Sequence, residues 1–258
     1  MSKWYLSLML LSAGTGFGQP AFEVASVKPS SPDARGQTFQ FTPGEGLAVK
    51  NGTLKGLIET AYNVRDFQIS GGPGWLDSER YDVFAKTAAD DPEARTRNRT
   101  AQIDETRVRL QLLLSQRFQL KVHREMRELP VFALTVGRSG SKLKEIDGTD
   151  ADAKPGTGIR SGCGQMTGTR STMANLAFML SRQLGRPVLE RTGISGVYDF
   201  QLQWTPEAGE CPEPATGIDP DGPSLFTALQ SQLGLKLDST KGPVEIIVID
   251  HAEKAAEN

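Results

Sequence analysis

Apolar positions recur along the chain in two rhythms, an alternating one that marks strands and a three-to-four spacing that marks helices. Phe22-Glu23-Val24-Ala25-Ser26-Val27-Lys28-Pro29 reads as a strand stopped by proline, and Gln37 to Thr42 with Gly46 to Lys50 reads as a hairpin around Pro43-Gly44-Glu45. Leu54, Leu57, Ile58, Ala61 and Tyr62 fall on one helical stripe, which predicts a short helix behind Thr53 as N-cap. Gly71 to Gly74 is a turn, and Arg80 to Thr87 alternates as a strand. Residues 88–103 hold no apolar period and mix acids with arginines, so a solvated linker is expected there. A second helix is predicted from Asp104 to Gln116 with Leu110, Leu113 and Leu114 on its core face. Strands at Phe118 to Arg124 and Val131 to Val136 close the first half, and the Gly, Ala, Asp and Thr of residues 147–164 suggest a flexible connection.

The same order then returns. Thr172 caps a helix carrying Met173, Leu176, Ala177, Leu180 and Leu184, ended by Gly185 and Pro187. Val188 to Glu190 is a brief strand, Thr192 to Gly196 a turn, and Val197 to Trp204 an alternating strand. After a loop from Glu207 to Gly222, Ser224 caps a helix that Gly234 ends, and strands follow at Leu235 to Asp238 and Val244 to Ile249. Thr53-Leu54 lies over Thr172-Met173, Tyr81-Asp82-Val83 over Tyr198-Asp199-Phe200, and Ser115-Gln116 over Ser231-Gln232. Leu120-Lys121-Val122 lies over Leu235-Lys236-Leu237, and Pro130-Val131 over Pro243-Val244. The offset drifts only from 119 to 113, as small insertions and deletions would produce, so an internal repeat of a helix, strand, strand, helix, strand, strand unit is expected.

The N-terminus adds a destination. Met1-Ser2-Lys3, the apolar run Trp4 to Leu11, and small residues at Gly16 and Gly18 form the pattern of a secretory signal peptide over residues 1–18. The run is shorter than the roughly 20 residues a membrane span needs, so the remainder is expected free in the periplasm or outside the cell. Removing it leaves a charge balance of −3, and the whole chain has a pI of about 5.8, which argues against a nucleic-acid binder working by phosphate neutralisation. In an oxidising compartment Cys163 and Cys211, the two cysteines, are a candidate disulfide, with two free thiols as the alternative.

Candidate chemistry is sparse. His123 and His251 are the only histidines, and neither cysteine has a second Cys or His at metal-ligand spacing, so no metal is expected. There is no HExxH, P-loop or dinucleotide glycine pattern, and Gly137-Arg138-Ser139-Gly140-Ser141 lacks the glycine that a nucleophile elbow requires. No cofactor is expected. Trp75, Asp77 and Arg80, around the Gly71-Gly72-Pro73-Gly74 turn, form a possible binding surface. The competing role for Trp75 is a lid on the core beside the first helix. Tyr81 and Tyr198 are expected in the core with locally bonded hydroxyls, and Asp82 and Asp199 are expected to hold turns.

Two resemblances follow. Residues 172–249, with Gln232-Leu233-Gly234-Leu235-Lys236-Leu237 and a final apolar strand, are similar to the short N-terminal domain of secretins and TonB-linked proteins. Over almost the whole chain beyond the predicted signal segment, residues 172–249 included, the sequence also resembles a soil-associated, paralogue-rich bacterial family of unknown function. Phe22 to Pro29, Gly71-Gly72-Pro73-Gly74-Trp75-Leu76-Asp77, Arg80 to Val83, Gly185-Arg186-Pro187-Val188, Thr192 to Phe200 and Val248-Ile249-Asp250 carry that likeness. The resemblance implies an α+β fold of two internally repeated secretin-N-like units, short helices packed on small mixed or antiparallel sheets. The expected organisation is a first unit at 19–146, the connection at 147–164, a second unit at 165–251 and a disordered tail at 252–258. Some relatives look to be fused to a membrane metallopeptidase sensor, which makes a sensor domain with a separately encoded membrane partner one alternative. The function expected is that of an exported, non-catalytic binding protein that meets an envelope or extracellular partner, in one mode by strand addition. A carboxylate-dependent hydrolase or carbohydrate-active enzyme using Asp77 and Asp82 is the other alternative.

Overall fold

The computed structural model describes residues 21–42, 46–87, 99–146, 158–207, 211 and 219–255. The predicted signal segment, the hairpin tip 43–45 and most of the 207–222 loop lie outside them. In chain order the elements are β1 (Val24–Pro29), β2 (Thr38–Thr42), β3 (Gly46–Thr53), α1 (Leu54–Tyr62), β4 (Ile69–Gly71), β5 (Arg80–Lys86), α2 (Arg99–Arg117), β6 (Lys121–Val136) and β7 (Lys144–Glu145). They continue as β8 (Gly158–Gly162), β9 (Gln165–Ser171), α3 (Met173–Leu184), β10 (Val188–Glu190), β11 (Tyr198–Gln203), α4 (Leu225–Ala228) with a π turn over Leu229–Leu233, and β12 (Leu235–His251). The class is α+β.

These strands make three four-stranded sheets. One is antiparallel in the order β1-β5-β3-β2, and another is antiparallel in the order β7-β11-β9-β8. Between them runs a mixed sheet, β10-β6-β12-β4, built on a long antiparallel β6–β12 ribbon. The short strands cross over: β4, next to α1, lies parallel to β12, and β10, next to α3, lies parallel to β6. Two cores result. Leu47, Val49, Leu54, Leu57, Ile58, Leu110, Leu114 and Phe118 fill the first, joined by Ile247 and Ile249 from β12. Met166, Met173, Leu176, Leu180, Leu202 and Leu233 fill the second, joined by Leu134 from β6. A smaller cluster of Val131, Val244 and Ile246 sits on the central ribbon.

Several devices occur in both halves. Thr53 and Thr172 cap α1 and α3 by accepting the Gly56 and Asn175 N–H groups at 3.1 and 3.2 Å. Asn51 and Arg170 sit two residues upstream in the left-handed conformation, each beside an irregularity in strand pairing. Asp82 accepts the Asn51 N–H at 2.8 Å and Asp199 the Arg170 N–H at 2.7 Å, so both carboxylates hold turns as expected. Tyr81 and Tyr198 are buried, with the Tyr198 hydroxyl donating to the Ser195 carbonyl at 2.7 Å.

The structure departs from expectation where polar sequence hid regular structure. The α2 helix starts at Arg99, inside the predicted linker, because a first turn polar on all sides leaves no period to read. Its pairs Asp104–Arg107 and Glu105–Arg109 bridge successive turns. Part of the predicted flexible connection, residues 158–162, is β8, paired along its length with β9. The four strands predicted at 118–124, 131–136, 235–238 and 244–249 are two long ones, since β6 and β12 pair from Lys121 with His251 to Val136 with Leu235. Pro130 and Pro243 are tolerated there because β10 and β4 reach only 132–134 and 247–249, so neither proline needs to donate to a second neighbour. Residues 252–255, expected as disordered tail, are docked: the Glu253 N–H donates to the Phe118 carbonyl at 2.7 Å, Lys254 pairs with Glu79, and Ala252 and Ala255 pack on the first core.

Candidate functional site

Strand alternation decides what the first sheet shows to solvent. In β5, Tyr81, Val83 and Ala85 point inward and Arg80, Asp82, Phe84 and Lys86 point outward. The register sets Phe84 between Ser26 and Ala48, Asp82 beside Lys28, Lys86 beside Val24, and Lys50 beside Thr38. The outer face therefore carries Lys28, Lys50 and Lys86 against the single acid Asp82, around an apolar centre of Phe84 and Val24, 45% and 56% exposed. The Lys86 ammonium lies 5.0 Å from the Phe84 ring centroid. In a chain of net charge −2 this is a local reversal of sign.

One edge of that sheet is β2, Thr38-Phe39-Gln40-Phe41-Thr42, and the other is β1. Edge strands are normally blunted by charge, proline or brevity. Among the described residues, β1 carries Lys28 and Pro29, β8 carries Arg160, and β4, β7 and β10 are two or three residues long. Five-residue β2 has neither charge nor proline.

At the start of β2 lies an open cleft of about 540 Å³ beneath the 30–37 segment. Asn51 ties that segment down, donating to the Gly36 and Ala34 carbonyls at 2.7 and 3.4 Å, and Ser30 donates to Asp82 at 2.7 Å. Arg80 and Glu79 both line the cleft; Arg80 reaches the Gln37 and Asn51 oxygens, both at 3.3 Å and both neutral, while Glu79 pairs with Lys254. The N–H of Asn51 and then the hydroxyl of Ser30 hold the Asp82 carboxyl below its ordinary range.

Of the three surface residues singled out in the sequence, only Arg80 belongs to this cleft. Trp75 is partly buried against the first core, the role of a lid beside the first helix. Asp77 is turned to Lys55 at 3.5 Å, and Asp66 also pairs with Lys55. Asp77 and Asp82 thus have separate structural partners. Phe84 and the three lysines were not singled out, although an aromatic in the polar phase of an alternating strand was a legible signal.

The second half offers other features. Cys163 and Cys211 form a disulfide with their Cα atoms 5.7 Å apart. A cleft of about 290 Å³ lies beside it, lined by Gln165, Trp204, Thr205 and Asp219. Arg186 stacks on Phe132 at 4.3 Å while donating to Ser239 and the Val131 carbonyl, which gives the Gly185-Arg186-Pro187-Val188 phrase its structural role. His123 contacts Asp250 at 2.9 Å on the exposed ribbon. Among the described residues no group of three or more His, Cys, Asp or Glu side chains is placed to hold a metal ion, and no helix is long and apolar enough to cross a membrane.

No curated protein and no solved structure matches the chain. Residues 55–252 match the model of a family described as a protein of unknown function, DUF3738, a span that takes in α1, both long ribbon strands and most of both cores. On that match, which covers well over half of its length, the chain belongs to the DUF3738 family.

Proposed function

We propose that this protein is an exported, non-catalytic binding protein that captures an extended, acidic segment of a partner protein by strand addition to β2. The observation that carries the reading is the unguarded β2 edge beside an outer face bearing Lys28, Lys50, Lys86 and an exposed Phe84. Main-chain hydrogen bonds would supply affinity, and the basic face with its aromatic centre would select acidic and apolar side chains. Export is supported by the N-terminal pattern and by the Cys163–Cys211 disulfide.

The scaffold is read as a duplicated unit. Support comes from sheet orders β1-β5-β3-β2 and β7-β11-β9-β8, paired caps at Thr53 and Thr172, paired turn carboxylates at Asp82 and Asp199, and the reciprocal pairing of β4 with β12 and β10 with β6. The likeness of residues 172–249 to the secretin-type domain belongs to the same reading. In this view each unit lends its long last strand to the other's short one.

The test uses the chain without its first 18 residues and two eight-residue peptides, one alternating threonine with glutamate and one alternating threonine with lysine. The acidic peptide is expected to bind saturably, and reversing Lys28, Lys50 and Lys86 together to Glu should weaken it by at least about tenfold. Equal binding of the lysine peptide, or affinity untouched by the reversal, overturns the proposal.

A further inference from the structure

Away from the β2 edge, a guanidinium group of the first half lies over an aromatic ring of the second, and another arginine stands one helical turn beyond that ring. Arg65, between α1 and β4, places its Cζ 4.6 Å from the ring centroid of Phe178 on α3. Phe178 is 39% exposed, and Arg182 follows it by four residues, one turn along the same helix face. The Arg65 main chain is held in place: its backbone N–H donates to the Gln68 side chain at 3.1 Å, and Gln68 donates to the Glu245 carbonyl at 3.0 Å on the central ribbon.

Neither guanidinium has a described acid to neutralise it. Arg107, nearby on α2, is different, because it pairs with Asp104 at 2.7 Å and donates to Asn63 at 2.8 Å. Glu59 lies within electrostatic range of Arg65 but makes no ion pair with it, and burial pushes its carboxyl up, toward the neutral form. Burial, then the Arg182 charge, lowers the pKa of Arg65, so the two cations sense each other. The Arg65 Nε is buried with no described acceptor. An arginine over a ring face can still offer N–H groups to an anion, and two guanidinium groups without a described counter-charge suit a dianionic oxyanion.

We infer that Arg65, Phe178 and Arg182 form a seat for a phosphate group, carried by free phosphate or by a small phosphate monoester. Arg182 also lines a cleft of about 420 Å³ with Ser161, Met179 and Gln183, which gives room for the remainder of an ester. The seat joins the two halves, so its occupation would tie α3 to the segment leading into β4.

Calorimetry at low ionic strength on the disulfide-bonded chain, with inorganic phosphate, glycerol 3-phosphate and acetate as probes, tests the seat. Saturable binding of either phosphate probe is expected, with acetate at least about tenfold weaker and with Arg182→Gln and Arg65→Gln each costing about tenfold or more. Tighter binding of the ester than of free phosphate would assign the adjoining cleft to the organic part, and the reverse would assign the seat to the free ion. Arg160→Gln, on exposed β8, is the control and should leave affinity unchanged. Arg182 is exposed, so its replacement is expected to leave the thermal midpoint in place even if Arg65→Gln lowers it. No saturable heat with either phosphate, equal affinity for acetate, or equal loss in Arg160→Gln and Arg182→Gln overturns the inference. None of these outcomes depends on the β2 edge.

Discussion

The two antiparallel outer sheets share a strand layout and differ in what they display. The β1-β5-β3-β2 sheet turns Phe84, Val24 and three lysines to solvent. The β7-β11-β9-β8 sheet turns out Gln165, Thr167, Thr169, Gln201 and Gln203, and its outward charges are Lys144, Arg160 and Asp199. Its free edge β8 carries Arg160, whereas β2 carries no charge. The inward faces keep similar jobs by different means. Val49 faces Val83 in the first sheet, whereas Gly168 faces Phe200 in the second, one large side chain against two of middle size. Inward positions are thus constrained by volume, while outward positions are free to differ. That freedom is why an exposed aromatic among lysines reads as function and a row of Thr and Gln does not.

The disulfide is the strongest asymmetry, and its removal should produce the largest effect. Cys163 and Cys211 are 48 residues apart, and closing a loop of that length stabilises by about 4 kcal/mol on the chain-entropy account. Cys163→Ser is expected to lower denaturant stability by an amount of that order. Hydrogen exchange should quicken in α3 and β11, while α1 and β3 keep their protection. Uniform loss of protection across both cores would make the halves one cooperative block and erase the distinction.

The Gly168–Phe200 core pair gives the next largest effect. A Cβ on Gly168 would stand 2.2 Å from the Phe200 ring, far inside contact distance. Gly168→Val should therefore cost about 3 kcal/mol by overpacking, and Phe200→Val alone about 2 to 3 kcal/mol by leaving a cavity. Together they recreate the Val–Val pair of the first sheet, and the double variant should lose clearly less than the sum. Simple additivity would mean that the two pairs do not occupy matching places.

The helix caps separate the halves by a smaller margin. Thr53 is 8% exposed and Thr172 is half-buried, so the N–H groups they accept differ in access to water. Each Thr→Ala change should cost about 1 kcal/mol, with Thr53→Ala the costlier because the Gly56 N–H it frees is less easily hydrated. Thermal unfolding of both single variants checks the order.

These caps also mark how far the sequence alone could go. Thr53, Thr172 and Ser224 were legible because a hydroxyl residue ahead of an apolar helical period has one local explanation, and each does accept a backbone N–H from the first turn. Asp82 and Asp199 were legible as turn residues for a similar reason. The full length of β6 and β12 was not, because Arg124 to Glu128 and Ser239 to Lys241 pair with each other's strands across more than a hundred residues and carry no period of their own. β8 was hidden by its glycines, and the start of α2 by its even polarity. At the candidate site, Arg80 was found from its neighbourhood, while Trp75 and Asp77 were drawn from the same turn but are committed to the core and to Lys55. Local chemistry was readable; which outward residues share a face required the register.

The smallest effect concerns the turn carboxylate of the first sheet. Asp82 accepts the Asn51 N–H and the Ser30 hydroxyl, and these hold its folded pKa below the value it has in an unfolded chain. A carboxyl depressed on folding adds stability that is present above its unfolded pKa, near 4, and is lost as pH falls through the lower folded value. Wild type should therefore exceed Asp82→Asn in stability at pH 6, with the gap closing below about pH 4. Because Asp82 is exposed, the gap should be small and should shrink further in high salt. Denaturant midpoints of both proteins from pH 6 down to pH 2 provide the measurement. A gap that stays constant over this range would show that the turn is held by the shape of the side chain and not by its charge.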